Sequence, residues 1–287
     1  MKASKPQKLP ITLVMCVYNE EKIIEKALKS IIDYVSEIVV VHDGPCSDKT
    51  GEIVKKYGGI FVETKKNKGE AEFIRIQSYE LASQKYILQL DADEYLTPDL
   101  QNILREAVAT DADFITVNWA RYRHGKRIRT LVRRPFLFKK EKVYFIECTH
   151  EAVRPKEAAT LKHYNLDLYN DADDRYKNQK LLDKAQIAKQ TKWIPGQAAA
   201  LVRYDQLTRY NTDTHSNKGT LLNKLMASKY YWFHGYVTVP LLFVVSDVLA
   251  VVKFGTNPIV LFSELPLNLR YYRDVTREIR RLKMEGR

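Results

Sequence analysis

The chain has 287 residues, of which 45% are hydrophobic and 29% are charged, an ordinary composition for a globular protein with one or two domains. Its net charge is +12, which predicts an anionic partner such as a phosphorylated substrate, lipid headgroups or nucleic acid. The three cysteines lack metal-ligand spacing and make no even disulfide framework, so they favour a reducing compartment: Cys16, Cys46 and Cys148.

The N-terminal apolar run at residues 11–17 is followed by Asn19-Glu20-Glu21 and has no small-residue cleavage site. This pattern predicts no secretory signal, and the first domain is expected to be cytoplasmic.

Short apolar runs and amphipathic segments alternate four times within the first hundred residues. Such alternation predicts a mostly parallel, doubly wound α/β sheet. The predicted strands are residues 11–18, 37–41, 60–63 and 86–90. Ser47 is the predicted cap of the helix that Gly58-Gly59 closes, and Thr97-Pro98 is predicted to start the helix after the fourth strand.

Polar residues follow each of these predicted strands. Ligands of such sheets bind beyond the carboxyl ends of the strands, so the four exits are expected to form one crevice. No glycine-rich phosphate loop of the two standard types is present, and a metal is therefore expected to neutralise bound phosphates. The exits carry Asn19-Glu20, Asp43, Lys68-Gly69 and Asp91-Asp93.

Asp91 and Asp93 are the candidate metal ligands. If the extended geometry of the strand persists, the two carboxylates point to the same side and repel unless a cation lies between them. Mg²⁺ or Mn²⁺ is typically held by one or two carboxylates together with substrate phosphates. The alternative is an acidic surface loop that helps to start the next helix.

The segments TLVMCVYNEE, EIVVVHDGPCSDKTGEIVKKYG, NKGEAEFIRIQSYELA and YILQLDADEYLTPDL resemble the inverting family-2 glycosyltransferases in order and spacing. The resemblance covers about residues 9 to 190 and implies the nucleotide-sugar-binding GT-A fold. RRPFLFKKEKVYFIECTHEAV and KHYNLDLYNDADDRYKNQKLL look like the subgroup with the lipopolysaccharide-core glucosyltransferases. The chain departs from the family pattern at His42, Pro45-Cys46 and Ile76.

The resemblance implies a role for each site residue. Asp43 contacts the base or ribose, Asn19 and Glu20 line the nucleotide pocket, and Asp91 and Asp93 hold the metal on the diphosphate. The remaining donor-binding residues are Lys68, Gly69 and Arg75.

His150-Glu151 is the best candidate for acid-base chemistry. An acceptor hydroxyl that attacks an anomeric carbon must lose a proton, and a nearby carboxylate is a suitable base. The resemblance assigns that role to Glu151, and it matches His163 to a histidine that completes the metal site in many GT-A enzymes. His150 is the competing assignment, and a structural hydrogen-bonding role for His163 is the other alternative.

Residues 121–142 contain ten Lys or Arg residues against one acid, Glu141. This charge has two equally good explanations. One is a solvated strand face, and the other is a surface that binds a phosphate-bearing acceptor or lipid. Without an accompanying nucleic-acid-binding signature, no nucleic acid is expected as a partner.

Pro195-Gly196 marks the predicted boundary between a catalytic domain at residues 1–192 and a helical C-terminal region at 193–287. Residues 230–252 contain no Lys or Arg and are long enough to span a bilayer, but Pro240 and Asp247 favour an interfacial or re-entrant arrangement. The arginine-rich segment that follows predicts contact with anionic headgroups at the inner face of the cell membrane.

These observations predict a glycosyltransferase that moves a sugar from a nucleoside diphosphate sugar to a lipid-linked or cell-envelope glycan, with inversion and with Mg²⁺ or Mn²⁺. Two alternatives remain open. One is a nucleotidyltransferase that makes sugar nucleotides, and the other is a non-catalytic basic module that binds membrane or nucleic acid.

Overall fold

A computed structural model describes residues 7–66, 71–119, 121–123, 126–128, 133–146, 153–170, 184–203, 208–209, 221–254, 258 and 265–286. The chain divides into two compact units whose segments interleave along the sequence. The first unit comprises Met1–Ala120, Val132–Tyr144 and Val153–Ala172. The second unit comprises Arg121–Leu131, Phe145–Ala152 and Asp173–Arg287.

The first unit is built on an eight-stranded sheet with the strand order β3-β2-β1-β4-β9-β6-β12-β5. Strand β1 pairs in parallel with β2 and β4, β2 with β3, and β6 with β12, whereas β9 is antiparallel to both of its neighbours. The predicted mostly parallel α/β sheet is therefore confirmed. The strands are β1 Leu9–Val17, β2 Val35–His42, β3 Ile60–Glu63, β4 Tyr86–Gln89, β5 Glu94–Tyr95, β6 Phe114–Trp119, β7 Arg121–Arg123, β8 Lys126–Ile128, β9 Arg133–Lys139, β10 Val143–Ile146, β11 Arg154–Pro155, β12 Leu161–Asn170 and β13 Thr208–Arg209.

Both faces of this sheet are covered, which explains why its central strands read as continuous apolar runs. Alternate residues of β1 pack in one cluster with the apolar faces of two helices, α1 and α4, while helix α3 contacts β1 and β2. Val14 and Val39, which lie outside that cluster, are also buried. The helices of this unit are α1 Ile24–Ile31, α2 Thr50–Lys56, α3 Glu72–Leu81 and α4 Pro98–Ala109.

Two of the predicted helix boundaries are confirmed and one is wrong. Thr97 caps α4 through its side chain, with Pro98 in the first helical position. Gly58, at φ 73, adopts the left-handed conformation just after α2. Ser47 does not cap α2, because its hydroxyl accepts a hydrogen bond from Asn19 while Asp48 accepts one from the Thr50 N–H.

An ion pair joins the last residue of β9, Lys139, to Asp113, which directly precedes β6. Lys139 is buried, and its Nζ donates to Asp113 Oδ1 at 2.8 Å and to the Asp111 carbonyl at 2.9 Å.

Lys139→Met is expected to lower the free energy of unfolding by about 2 to 3 kcal/mol, because it leaves Asp113 buried without its main cation. Thr160 and Lys142 stay near Asp113 and limit the loss. Urea titration checks this, with Lys55→Met, at an exposed position of α2, as the comparison, and equal stability of the two variants would contradict it.

The second unit is mainly helical. It contains two short antiparallel strands, β7 and β8, around the predicted turn at His124-Gly125, which lies outside the described residues. The predicted domain boundary at residues 192 and 193 falls inside a continuous helix that also accommodates Pro195. The helices are α5 Lys184–Val202, α6 Leu221–Ala227, α7 Tyr231–Phe233, α8 Val239–Phe254 and α9 Leu265–Met284, and a π-helical turn, His234–Thr238, joins α7 to α8.

Within the described part of the chain, one helix is long and apolar enough to cross a membrane by length and composition. It runs through Tyr231–Lys253, which is 23 residues, and an 18-residue stretch within it has a mean hydropathy of 2.1. We refer to this segment as the apolar helix.

Candidate active site

The turns that follow β1 and β2 are tied together by a buried histidine. The Asn19 N–H donates to His42 Nε2 at 3.0 Å, and His42 Nδ1 lies 2.7 Å from the Gly44 carbonyl. Accepting at Nε2 requires the proton on Nδ1, which then donates to that carbonyl. Asn19 is held in the left-handed region, at φ 52, by this contact and by hydrogen bonds to Ser47. The departure from the family pattern at His42 thus has a structural role in shaping this edge.

The predicted nucleotide residues of these two exits lie close together. The Glu20 N–H donates to Thr50 Oγ1 at 2.7 Å, and the Asp43 N–H donates to the Val17 carbonyl at 2.9 Å. Asp43 is buried, whereas Tyr18 is half exposed and its ring centroid lies 5.6 Å from that of His42. The edge therefore offers a carboxylate, backbone polar groups and an exposed aromatic ring.

The Asp91–Glu94 segment is a turn and does not continue β4. Strand β4 ends at Gln89, and the Glu94 N–H donates to the Asp91 carbonyl at 3.0 Å. The extended geometry that was to place Asp91 and Asp93 on one side by alternation is therefore absent. The turn forms because the Glu94 side chain also accepts from the Asp91 N–H, at 2.8 Å.

Two arginines from different elements hold the Asp91 carboxylate. Arg134 Nη2, on β9, lies 3.0 Å from Asp91 Oδ2, and Arg75 Nη2, on α3, lies 3.4 Å from Asp91 Oδ1. Arg134 also pairs with Glu94 at 3.1 Å. The Asp91 side chain keeps 35% of its surface exposed, while the two arginines and Glu94 are nearly buried. Asp91 is thus the solvent-facing member of a buried ionic network.

Gln89, the last residue of β4, contacts both arginines of this network. When its amide is oriented to satisfy both partners, its oxygen accepts from Arg134 Nη1 at 3.0 Å and from Arg75 Nη1 at 3.3 Å, and its nitrogen donates to Tyr79. The two arginines are consequently fixed from both sides, and Asp91 has little freedom to rotate.

The network gives the carboxyl groups of Asp91 and Glu94 different pKa values. Burial raises the pKa of Asp91, but Arg134 and Arg75 outweigh that effect and hold it below the ordinary value. Burial, followed by the neighbouring Asp91 charge, raises the pKa of Glu94 to about 7 despite the attraction of Arg134. Asp91 is therefore ionised at neutral pH, whereas Glu94 exchanges its proton there.

The raised pKa of Glu94 predicts a specific dependence of stability on pH. Between pH 4.5 and 7 the folded chain keeps a proton that the unfolded chain has lost. Below pH 4.5 the retained proton stabilises the folded chain by about 3 kcal/mol. This stabilisation is lost as pH rises through 7. The stability of Glu94→Gln relative to the unchanged chain should therefore increase from pH 5 to pH 8 in urea titrations. A difference that stays constant with pH would contradict this assignment.

Arg134 and Glu94 are the site residues whose roles the sequence did not reveal. Arg134 belongs to the basic run at residues 121–142, and Glu94 directly follows the predicted metal ligand Asp93, but neither residue has a predicted role of its own. A usable signal is the position of Arg134 directly before the apolar centre of its strand, PFLF, because an arginine on a buried strand requires an acidic partner.

The structure does not bring His163 to Asp91 and Asp93. Its Nδ1 lies 3.0 Å from Thr116 Oγ1 near the start of β12, whereas Asn170, at the end of that strand, pairs with Glu94. Between these two points β12 changes its register against β6, since His163 pairs with Thr116 and Asp167 with Asn118. Across the described ranges, no group of three or more His, Cys, Asp or Glu side chains is placed to hold a metal ion. Lys68, Gly69, His150 and Glu151 lie outside the described residues.

Asp91 and Asp93 nevertheless have the chemistry that a hard divalent ion requires. Asp91 presents an ionised, partly exposed carboxylate whose orientation is fixed, and Asp93 is partly exposed two residues later in the same turn. Two carboxylates suit Mg²⁺ or Mn²⁺ when substrate phosphates supply further oxygens.

Comparison with known proteins gives a family and a fold. A family model described as glycosyl transferase family 2 matches residues 12–162, more than half of the chain. The mannosyltransferase PcManGT from Pyrobaculum calidifontis, in complex with GDP-Man and Mn²⁺, is similar in fold, with a TM-score of 0.50, 13% identity and coverage of 99% of this chain and 90% of that one. S. aureus TarS 1-349 in complex with UDP-GlcNAc gives a TM-score of 0.42 at 16% identity, with coverage of 96% and 92%. None of the curated proteins matches the sequence.

Proposed function

Because the chain belongs to glycosyl transferase family 2, we propose that it transfers a sugar from a nucleoside diphosphate donor to an acceptor hydroxyl with inversion. The observation that carries the proposal is the Asp91 carboxylate, ionised and clamped by Arg75 and Arg134 just beyond a parallel strand. The polar residues that follow β1 and β2 are the groups that we propose bind the nucleotide.

In this proposal the donor nucleotide lies against Asn19, Glu20 and Asp43, with the exposed Tyr18 ring available for the base. The donor site is completed by Lys68, Gly69 and Arg75. Arg75 contributes through its ion pair with Asp91. Asp91 and Asp93 hold Mg²⁺ or Mn²⁺, which when bound offsets the charge of the departing diphosphate. In the reaction, the acceptor oxygen bonds to the anomeric carbon as the bond to the diphosphate oxygen breaks, which inverts that carbon.

Glu151 is the base that we propose for the acceptor proton, and the proposal rests on family resemblance. Glu151→Gln is expected to lower turnover by about 10² to 10⁴-fold with donor affinity nearly unchanged, because only proton removal is lost. Steady-state kinetics together with donor titration checks this, with the exposed Glu157→Gln as control. An equal loss of donor affinity would assign Glu151 to the nucleotide or metal site instead.

The acceptor that we propose is a lipid-linked or cell-envelope glycan at the cytoplasmic face of the membrane, as in the lipopolysaccharide-core glucosyltransferases that residues 133–153 and 162–182 resemble. The one-sided positive charge of residues 121–142 supports a phosphorylated acceptor.

A thermal-shift screen of nucleotide sugars with and without Mn²⁺ is the direct test, since a ligand that binds only the folded chain raises its apparent stability. We expect one donor class to stabilise the chain, and more strongly with Mn²⁺. Product analysis then separates the alternatives, because a glycosyltransferase releases nucleoside diphosphate and a nucleotidyltransferase releases pyrophosphate. Absence of any shift would favour a non-catalytic module.

A further inference from the structure

One side of the apolar helix carries a continuous uncharged stripe, which we call the apolar stripe. At about 100° per residue, its five side chains fall within an arc of about 100°. Each is between 45% and 78% exposed, so the second unit leaves the stripe uncovered. The stripe consists of Leu241, Val245, Val248, Leu249 and Val252.

The opposite side of the same helix packs on its own unit. Val239 and Ala250 are buried there. Asp247, the acidic residue of the helix, lies about 150° from the middle of the stripe at the same helical pitch. The acidic residue that disfavours a simple membrane span is therefore on the protein side of the helix, away from the stripe.

The apolar helix and α9 lie side by side and antiparallel. The ring centroids of Phe243 and Tyr272 are 5.6 Å apart. A Cβ on Gly235 would come within 1.9 Å of Thr276 Oγ1, so only glycine permits the close approach at this point. Further along, Lys283 Nζ lies 4.6 Å from the centre of the Tyr231 ring. The contact thus follows residues 231–243 of one helix and 272–283 of the other.

Helix α9 is too charged to accompany its neighbour into hydrocarbon. Leu265–Met284 contains six basic residues and two acids. Four of its arginines pair with acids of the same C-terminal segment: Arg270, Arg273 and Arg277 with Asp274, and Arg281 with Glu278 and Glu285. These pairs reduce the free charge expected from the sequence, but each arginine would still cost about 2.5 to 3.5 kcal/mol at the bilayer centre.

We propose that the second unit binds an anionic bilayer as an interfacial element, with the apolar stripe in the acyl boundary and α9 on the aqueous side. The pairing with α9 prevents the apolar helix from crossing the bilayer, since a crossing would either carry the arginines into hydrocarbon or separate the two helices.

The ends of the apolar helix suit this arrangement. Tyr230, Trp232, Phe233 and Tyr236 are exposed near its start, and such rings favour the headgroup level. Lys229 and Lys253 lie just before the helix and at its end. Their ammonium groups can reach anionic headgroups while the stripe between them contacts acyl chains. This charge favours a lipid surface over a second copy of the same basic chain.

Vesicle flotation of the full chain tests binding. The chain should float with vesicles that contain phosphatidylglycerol and much less with pure phosphatidylcholine. The triple variant Leu241→Gln, Val245→Gln and Val252→Gln should reduce binding by about tenfold or more, because it removes the stripe but keeps helix-forming residues. Leu161→Gln with Leu221→Gln, which alters exposed leucines elsewhere, should bind as the unchanged chain does. Unaltered binding of the triple variant, at unchanged circular dichroism, would overturn the proposal.

Trypsin treatment of the bound vesicles distinguishes lying on the bilayer from crossing it. A tag placed after Arg287 should be removed completely without detergent when the chain is added to sealed vesicles. Protection of the tag would show a crossing helix and would overturn the interfacial arrangement. A chain that does not float, and dimerises in solution through the stripe, would assign this face to a second copy.

Discussion

Asp93→Ala is expected to lower sugar transfer by about 10³-fold or more, because one of two proposed ligands of the ion on the diphosphate is lost. Asp93 is partly exposed, so the free energy of unfolding should change by no more than about 0.5 kcal/mol. Release of nucleoside diphosphate measures the activity, and titration of Mn²⁺ in the presence of donor measures the lost metal affinity.

The exposed Asp99→Ala, six residues later in the first turn of α4, is the matched control and should retain activity. A chelator in excess should reproduce the effect of Asp93→Ala on the unchanged chain. Full activity of either the Asp93 variant or the chelated protein would remove metal assistance from the proposed function.

Arg134→Met should both destabilise the first unit and reduce activity. The substitution keeps most of the volume but leaves Asp91 with Arg75 alone and Glu94 buried without its cation. Breaking such a buried pair costs about 3 kcal/mol or more. Turnover should fall because the Asp91 carboxylate is no longer fixed, and Mn²⁺ affinity in the presence of donor should fall with it.

Arg134→Lys separates charge from geometry. A lysine restores one cation without the planar fork that reaches both carboxylates, so stability should recover more than activity. Arg133→Met, at the exposed neighbouring position, should leave the free energy of unfolding and the Mn²⁺ affinity unchanged. If Arg134→Met kept Mn²⁺ affinity and turnover at a temperature where it stays folded, Arg134 would have a structural role only.

The sheet could be predicted because its signals are local. The runs Ile11 to Tyr18 and Tyr86 to Leu90 are apolar and bounded by polar turns, and the Thr97-Pro98 start needs only one helical turn to act. The α2 cap was assigned to the wrong residue because Ser47, Asp48 and Lys49 all precede the helix, and a contact from Asn19, distant in sequence, engages Ser47.

The sequence by itself determined the mostly parallel sheet, the polar strand exits with Asn19, Asp43 and Asp91, and the long apolar segment near the C-terminus, because periodicity and turn chemistry act over a few residues. Only the tertiary structure decided that Arg75 and Arg134 converge on Asp91, that His163 lies beside Thr116, and that Asp247 faces the protein. These depend on strand order and helix packing, which join residues 16 to 43 positions apart and are not encoded in local pattern.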